Sequence, residues 1–145
     1  MRIVLQRVNN AGVRVSGAAI ASINKGILLL VGIHKDDTPE KASVLAAKCA
    51  DLRIFSDAEG TMNLSLKEVN GEALVVSQFT LFGDCSKGRR PSFIDAAPPE
   101  KGRELYEHFV AELKKQVPKV ATGIFGAMMD VELINDGPVT LILEK

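Results

Sequence analysis

Gly26-Ile27-Leu28-Leu29-Leu30-Val31-Gly32-Ile33 carries no polar side chain. Strand side chains alternate between two faces, so a run apolar at both parities predicts a strand buried on both sides, at the centre of a sheet. The run is far too short for a transmembrane helix, which takes about 20 residues. Working outward, Asn24-Lys25-Gly26 reads as a turn before it, preceded by a strand over 18–23. Residues 2–9 predict another strand, Asn9-Asn10-Ala11-Gly12 a turn, and Val13-Arg14-Val15 the start of a further strand. On the other side, Thr38-Pro39 opens a helix, with Thr38 able to cap and Pro39 suited to the first helical position. Ala42, Leu45, Ala46, Cys49 and Leu52 then recur at helical spacing. A strand is expected over 52–55, a turn over 57–60 and a long strand over 73–82. Pro98-Pro99-Glu100 starts a second helix running to about Gln116, with Tyr106, Val110, Leu113 and Val117 on one stripe. Strands over 128–134 and 139–143, joined by Asn135-Asp136-Gly137-Pro138, predict an antiparallel hairpin.

Short strands with two main helices define an α+β class. The expected architecture is a curved, barrel-like sheet, mostly antiparallel or mixed, with the helices on one side. The 145 residues suit a single domain spanning 1–145. A chain of this size buries roughly 68–70% of its unfolded surface and needs no staples. Trp is absent and aromatics are 5%, so the core must rest on aliphatic side chains. Eighteen basic residues balance eighteen acidic ones. Zero net charge argues against gripping long nucleic acid through phosphates, though not against gripping the end of a strand. Cys49 and Cys85 read as free thiols of a reducing compartment. The opening residues form a strand pattern rather than a secretory signal, which points to the cytoplasm and to no membrane partner.

Ser77-Gln78-Phe79-Thr80-Leu81 places polar side chains at the end of the apolar run Ala73-Leu74-Val75-Val76. Strand alternation puts Gln78 and Thr80 on one face, pointing into one pocket, and Ser77 and Phe79 on the other. Two readings stand: hydrogen bonding to neighbouring strands, or a reactive site. Asn135-Asp136-Gly137-Pro138 by itself is a plain turn. Lys87-Gly88-Arg89-Arg90-Pro91 is the one dense basic cluster, weak as a motif but able to hold a few phosphates. Neither His34 nor His108 stands at metal-ligand spacing. The chain has no nucleophile elbow, P-loop or dinucleotide fingerprint.

Taken together, the opening Met1-Arg2-Ile3-Val4-Leu5-Gln6-Arg7-Val8, then Met62-Asn63-Leu64-Ser65, Ser77 to Leu81, Lys87 to Phe93, and Asn135-Asp136-Gly137-Pro138-Val139-Thr140 resemble the D-aminoacyl-tRNA deacylases, the D-tyrosyl-tRNA deacylase family. The resemblance covers essentially the whole chain. It implies a hydrolase acting on the ester of D-aminoacyl-tRNA, and on glycine mischarged on non-cognate tRNA. It also implies a homodimer with active sites at the subunit interface, a tRNA 3′ end as partner, and no metal or organic cofactor. Gly137-Pro138 would be a cis peptide reaching into the partner's site and rejecting L side chains, with Arg7 holding it. Ser77, Gln78, Phe79 and Thr80 would form the catalytic strand. Phe125 and Met129 would line the terminal adenine pocket. Lys87, Arg89 and Arg90 would touch tRNA phosphates weakly.

Two mechanisms fit such a site. In one, Thr80 attacks the ester carbonyl, although no base neighbours it in sequence. In the other, the terminal ribose 2′-hydroxyl activates water while N–H groups near Phe79 and Thr80 hold the oxyanion. The second accounts for the missing catalytic triad. A non-catalytic RNA-end or small-molecule binding module is the alternative class, and a small-molecule amidohydrolase a third.

Overall fold

A computed structural model describes residues 1–145. The apolar run quoted above becomes β3 (Gly26–Gly32), and it is central. It pairs antiparallel with β1 (Arg2–Val15) and parallel with β6 (Glu72–Ser77). Its two faces enter two separate cores. Ile27, Leu29 and Val31 join a large cluster under the helices, while Leu28 joins a smaller one inside the curl of the sheet. β6 divides the same way, with Ala73 and Val75 towards the helices and Leu74 and Val76 towards the curl. This is why both strands lack an alternating pattern: neither has a solvent face.

The sheet runs β2 (Ala18–Ile23), β1, β3, β6, β7 (Val120–Thr122), with β8 (Asp130–Glu144) on the other side of β1. β3–β6 and β6–β7 are parallel and the rest antiparallel, so the sheet is mixed. A separate ribbon pairs β4 (Phe55–Ser56) with β5 (Met62–Leu64), so the strand expected over 52–55 shrinks to its last residue and the next. Helices α1 (Pro39–Asp51) and α2 (Pro99–Lys114) cover the large core. Pro39 opens α1, and Thr38 stands at its N-cap without a side-chain capping bond. Phe109 is fully buried there, and the Tyr106 hydroxyl donates to the Val75 carbonyl at 2.8 Å.

Three expectations need correction. No turn breaks the chain at residues 9–12. β1 is one long strand that changes partners, pairing with β3 over Arg2–Val8 and with β2 over Ala11–Val15. Asn9 and Asn10 are exposed because they sit at this handover, not in a reversal. Likewise 128–143 is not a hairpin. Both halves of β8 pair with β1, and Asn135 to Val139 bulge out between them: two steps along β1 (Gln6 to Val8) face five along β8 (Thr140 to Asn135). Finally, the strand expected over 73–82 stops at Ser77. Gln78 still donates its N–H to the Val31 carbonyl at 2.8 Å, after which Phe79–Phe82 wind into a 3₁₀ turn. β3 ends as well, and no further strand is there to pair with.

Two measurements test this packing. Phe109→Ala removes a fully buried ring and should cost about 3–5 kcal/mol, read from urea unfolding with an unchanged m-value. Cys49 is buried, and desolvation pushes its thiol up to about 12, whereas Cys85 is exposed in a loop. A thiol-specific reagent at pH 8 should therefore label one cysteine in the native protein and the second only after unfolding.

Candidate active site

Parallel strands end at the same edge, and ligand clefts form beyond their carboxyl ends. β3 and β6 are such a pair, aligned Val31 to Ser77 at their last step. A cavity of about 470 Å³ opens at that edge. Its floor is Val31, Ile33 and Ser77, and its walls are Phe79, Phe93 and Phe125, with Pro98, Pro99 and Gly102 at the start of α2.

Each wall is held by an identifiable contact. The 3₁₀ turn presses against β3 at Gly32, where a Cβ would lie 3.0 Å from Leu81 and 3.1 Å from the Gln78 carbonyl. A side chain there would press on the turn, and glycine lets it approach without that push. Arg2 pins the turn from outside, donating from Nη1 to the Leu81 carbonyl at 2.6 Å and lying 5.1 Å over the Phe82 ring. Phe79 meets Phe93 edge-on with ring centres 5.1 Å apart. Phe125 lies 5.8 Å from the Tyr106 ring centre to centre, and the Arg103 guanidinium lies 5.0 Å from the Phe125 ring centre. In the 3₁₀ turn, Leu81 N–H bonds to Gln78 and Gly83 N–H to Thr80. The N–H groups of Phe79 and Thr80 are at the open N-terminal end, where an i→i+3 turn supplies no acceptor.

The residues singled out in the sequence fall into separate places. Ser77, Phe79 and Phe125 meet in the cavity. Gln78 and Thr80 are together, as expected, with the Gln78 amide donating to the Thr80 hydroxyl. Their shared position is not the cavity, however. The turn replaces strand alternation, and it leaves Gln78 half-buried and Thr80 exposed beside the cavity that Ser77 and Phe79 line. Met129 packs its sulfur over Gly123 and against the inner core rather than into the cavity. Lys87, Arg89 and Arg90 are exposed on the loop that ends at Phe93.

Arg7, Gly137 and Pro138 form a second constellation. Arg7 is 8% exposed. Its Nε donates to the Asp136 carbonyl at 3.1 Å and pairs with the Asp136 carboxylate at 3.2 Å, while Nη1 donates to the Ile54 carbonyl. The Gly137–Pro138 peptide is cis. Gly137 has φ +130°, and a Cβ there would lie 2.9 Å from Arg7 Nη2. Asn135 closes the bulge, accepting from Val139 N–H at 2.8 Å and donating to the Val139 carbonyl at 3.1 Å. Sequence reading passed over this role of Asn135, although an Asn ahead of a Gly-Pro step commonly bonds to nearby backbone.

One chain does not bring the two constellations together. Arg2 pairs with Gly32 at the cavity end of β3, and Arg7 pairs with Ile27 at the opposite end. The five residue steps between them span about 17 Å of strand. The histidines lie elsewhere: His34 packs edge-on against Phe82, and His108 contacts the Ser43 hydroxyl at 2.8 Å between the helices. No group of three or more His, Cys, Asp or Glu side chains is placed to hold a metal.

Comparison with known proteins adds the family. A family model described as D-Tyr-tRNA(Tyr) deacylase matches residues 4–144. Proteins named D-aminoacyl-tRNA deacylase are 59% identical in Dictyoglomus turgidum, over 99% of this chain and 92% of that one, and 59% identical in Exiguobacterium sibiricum, over the full length of both. Among solved structures, a c-Myc DNA unwinding element binding protein superposes with TM-score 0.95 at 39% identity, covering 100% of this chain and 99% of that one. A probable eukaryotic D-amino acid tRNA deacylase superposes at 0.84 with 19% identity, covering 98% and 97%, which shows the shared fold. On a family match running from residue 4 to residue 144, the chain belongs to the D-Tyr-tRNA(Tyr) deacylase family.

Proposed function

We propose that this chain hydrolyses the ester between a D-amino acid and the terminal ribose of tRNA, releasing both. The observation that carries this reading is the family match over residues 4–144. The cavity at the ends of β3 and β6 supports it with a largely apolar, aromatic-walled space for a terminal nucleoside. Phe125 would line the adenine, and Met129 would support that wall from behind Gly123. The exposed Lys87, Arg89 and Arg90 would contribute weak phosphate contacts.

We infer that the working unit is a homodimer. Within one chain, Gly137 and Pro138 stand a strand's length from Ser77 and Thr80, so a single copy cannot combine them in one site. A second copy can supply the Gly137-Pro138 bulge to the cavity. β8, which carries the bulge, exposes Ile134, Leu141 and Ile142, at 55%, 37% and 68%. Apolar area of this kind, clustered on an edge strand, suits a twofold contact. In such a site, main-chain carbonyls of the bulge would accept bonds from the substrate ammonium and leave no room for an L side chain. Glycine and varied D side chains would fit. Specificity would come from exclusion, so substrate scope would be broad.

For the chemistry, the ribose 2′-hydroxyl activating water is favoured over attack by Thr80. The Thr80 hydroxyl has an amide of Gln78 as neighbour, which is not a base. The open N–H groups of Phe79 and Thr80 suit a developing oxyanion, where losing one such donor costs about 3–4 kcal/mol of barrier. No helix is long and apolar enough to cross a membrane.

Turnover of a D-aminoacyl-tRNA is the direct test, and its absence would leave only a binding module. Thr80→Ala should keep substantial activity, while a terminal 2′-deoxyribose should lose more. Complete loss in Thr80→Ala with intact substrate binding would favour the nucleophilic version. Sedimentation should give twice the 15.6 kDa chain mass. Gly137→Ala forces a Cβ into a φ of +130° and against Arg7, a strain of about 1–3 kcal/mol. D-substrate turnover should fall sharply while the dimer persists. Undiminished turnover would remove the bulge from the selectivity scheme.

A further inference from the structure

Phe125 is a partition. One side faces the cavity at the ends of β3 and β6, and the other closes a groove of about 350 Å³ between α2 and the end of β7. Tyr106, Val110 and Phe125 form the groove's floor. Its rim carries Arg103, Glu107 and Lys114, residues of a single stripe on α2. Arg103 and Lys114 are exposed, and neither enters an ion pair or side-chain hydrogen bond within the chain. They stand eleven residues apart, about 16 Å along the helix.

We propose that this groove takes the single-stranded RNA immediately upstream of the terminal nucleoside, with Arg103 and Lys114 each on one of its phosphates, non-adjacent ones at this spacing. The inference rests on the deacylase reading and extends it to how the substrate strand leaves the cavity. Phe125 is the residue that lines both spaces, so a strand whose last nucleoside sits against it can leave into the groove past that ring. On its far side lies the pattern that recognises single strands: an aromatic and apolar floor for a base, edged by unpaired cations for the backbone. The guanidinium of Arg103 lies 5.0 Å from the Phe125 ring centre and lines the groove, with no ion pair of its own to occupy its N–H groups. With a net charge of zero, two unneutralised cations beside the site are a local electrostatic feature rather than part of a general basic coat. Glu107 lies in the same groove and opposes them.

The test compares D-aminoacyl-tRNA with a D-aminoacyl ester of adenosine, which has no upstream phosphates. Arg103→Gln with Lys114→Gln should lower the ratio of kcat/KM on the tRNA to kcat/KM on the adenosine ester roughly five- to thirtyfold, as two exposed charge contacts do. The loss should lie in KM, and the salt slope should fall by about 1.4, or 0.7 for each single-strand phosphate. Glu107→Gln should move the other way, raising the ratio roughly two- to fivefold. A gain cannot come from misfolding. Equal losses on both substrates, an unchanged ratio, or a loss in Glu107→Gln would overturn the proposal. Fluorescence anisotropy with uncharged tRNA separates this inference from the one beneath it. A parent that hydrolyses neither ester overturns the deacylase reading, whereas groove variants that bind uncharged tRNA as tightly as the parent overturn the groove.

Discussion

Arg7 is a cation with almost no exposure, and a buried charge is tolerated only when its hydrogen-bonding capacity is met. Two distant parts of the chain meet that need. β1 supplies the arginine, the segment after α1 supplies the Ile54 carbonyl, and the β8 bulge supplies both the carbonyl and the carboxylate of Asp136. Removing either set of acceptors leaves guanidinium N–H groups unsatisfied in a dry place, at a cost of several kcal/mol. The shape of the bulge follows from this constraint. With Arg7 gripping its base and Asn135 bracing its far side, the Gly137-Pro138 step is held in one conformation rather than left as a mobile loop.

The cavity depends on a different constraint, the shared ending of two parallel strands. Once β3 and β6 stop together, the backbone beyond Ser77 has lost its strand partner and must satisfy itself locally, which the 3₁₀ turn does through Leu81 and Gly83. Turning there swings Phe79 towards Phe93 and leaves N–H groups facing outward. The aromatic side chains are few in this chain, and three of them, Phe79, Phe93 and Phe125, stand around one space. Large rigid rings define a pocket with little conformational entropy to lose on binding. A site built this way selects by shape and by backbone donors. It accords with a reaction whose ester is already activated and whose ribose carries a hydroxyl next to the bond.

Local patterning in the sequence determined the two-faced burial of β3, the two helices with their proline starts, the free thiols, and the family through blocks of residues spread from Met1 to Thr140. All of these depend on side-chain type at short spacing, which a linear reading captures. Tertiary structure decided where strands begin and end. Asn9-Asn10-Ala11-Gly12 has turn composition, yet β8 pairs alongside and carries β1 through it. Asn135 to Pro138 looks like a hairpin, yet both flanks find the same partner, so the residues become a bulge. Ser77 to Leu81 reads as strand, yet its neighbour has run out. In each case the deciding factor is a backbone partner far away in sequence, and backbone hydrogen bonds are the same for every residue type but proline, so the side chains do not announce the partner. The same holds for the separation of Arg7 from the cavity, which is a matter of register along β1 and β3 and became visible only once the strands were paired.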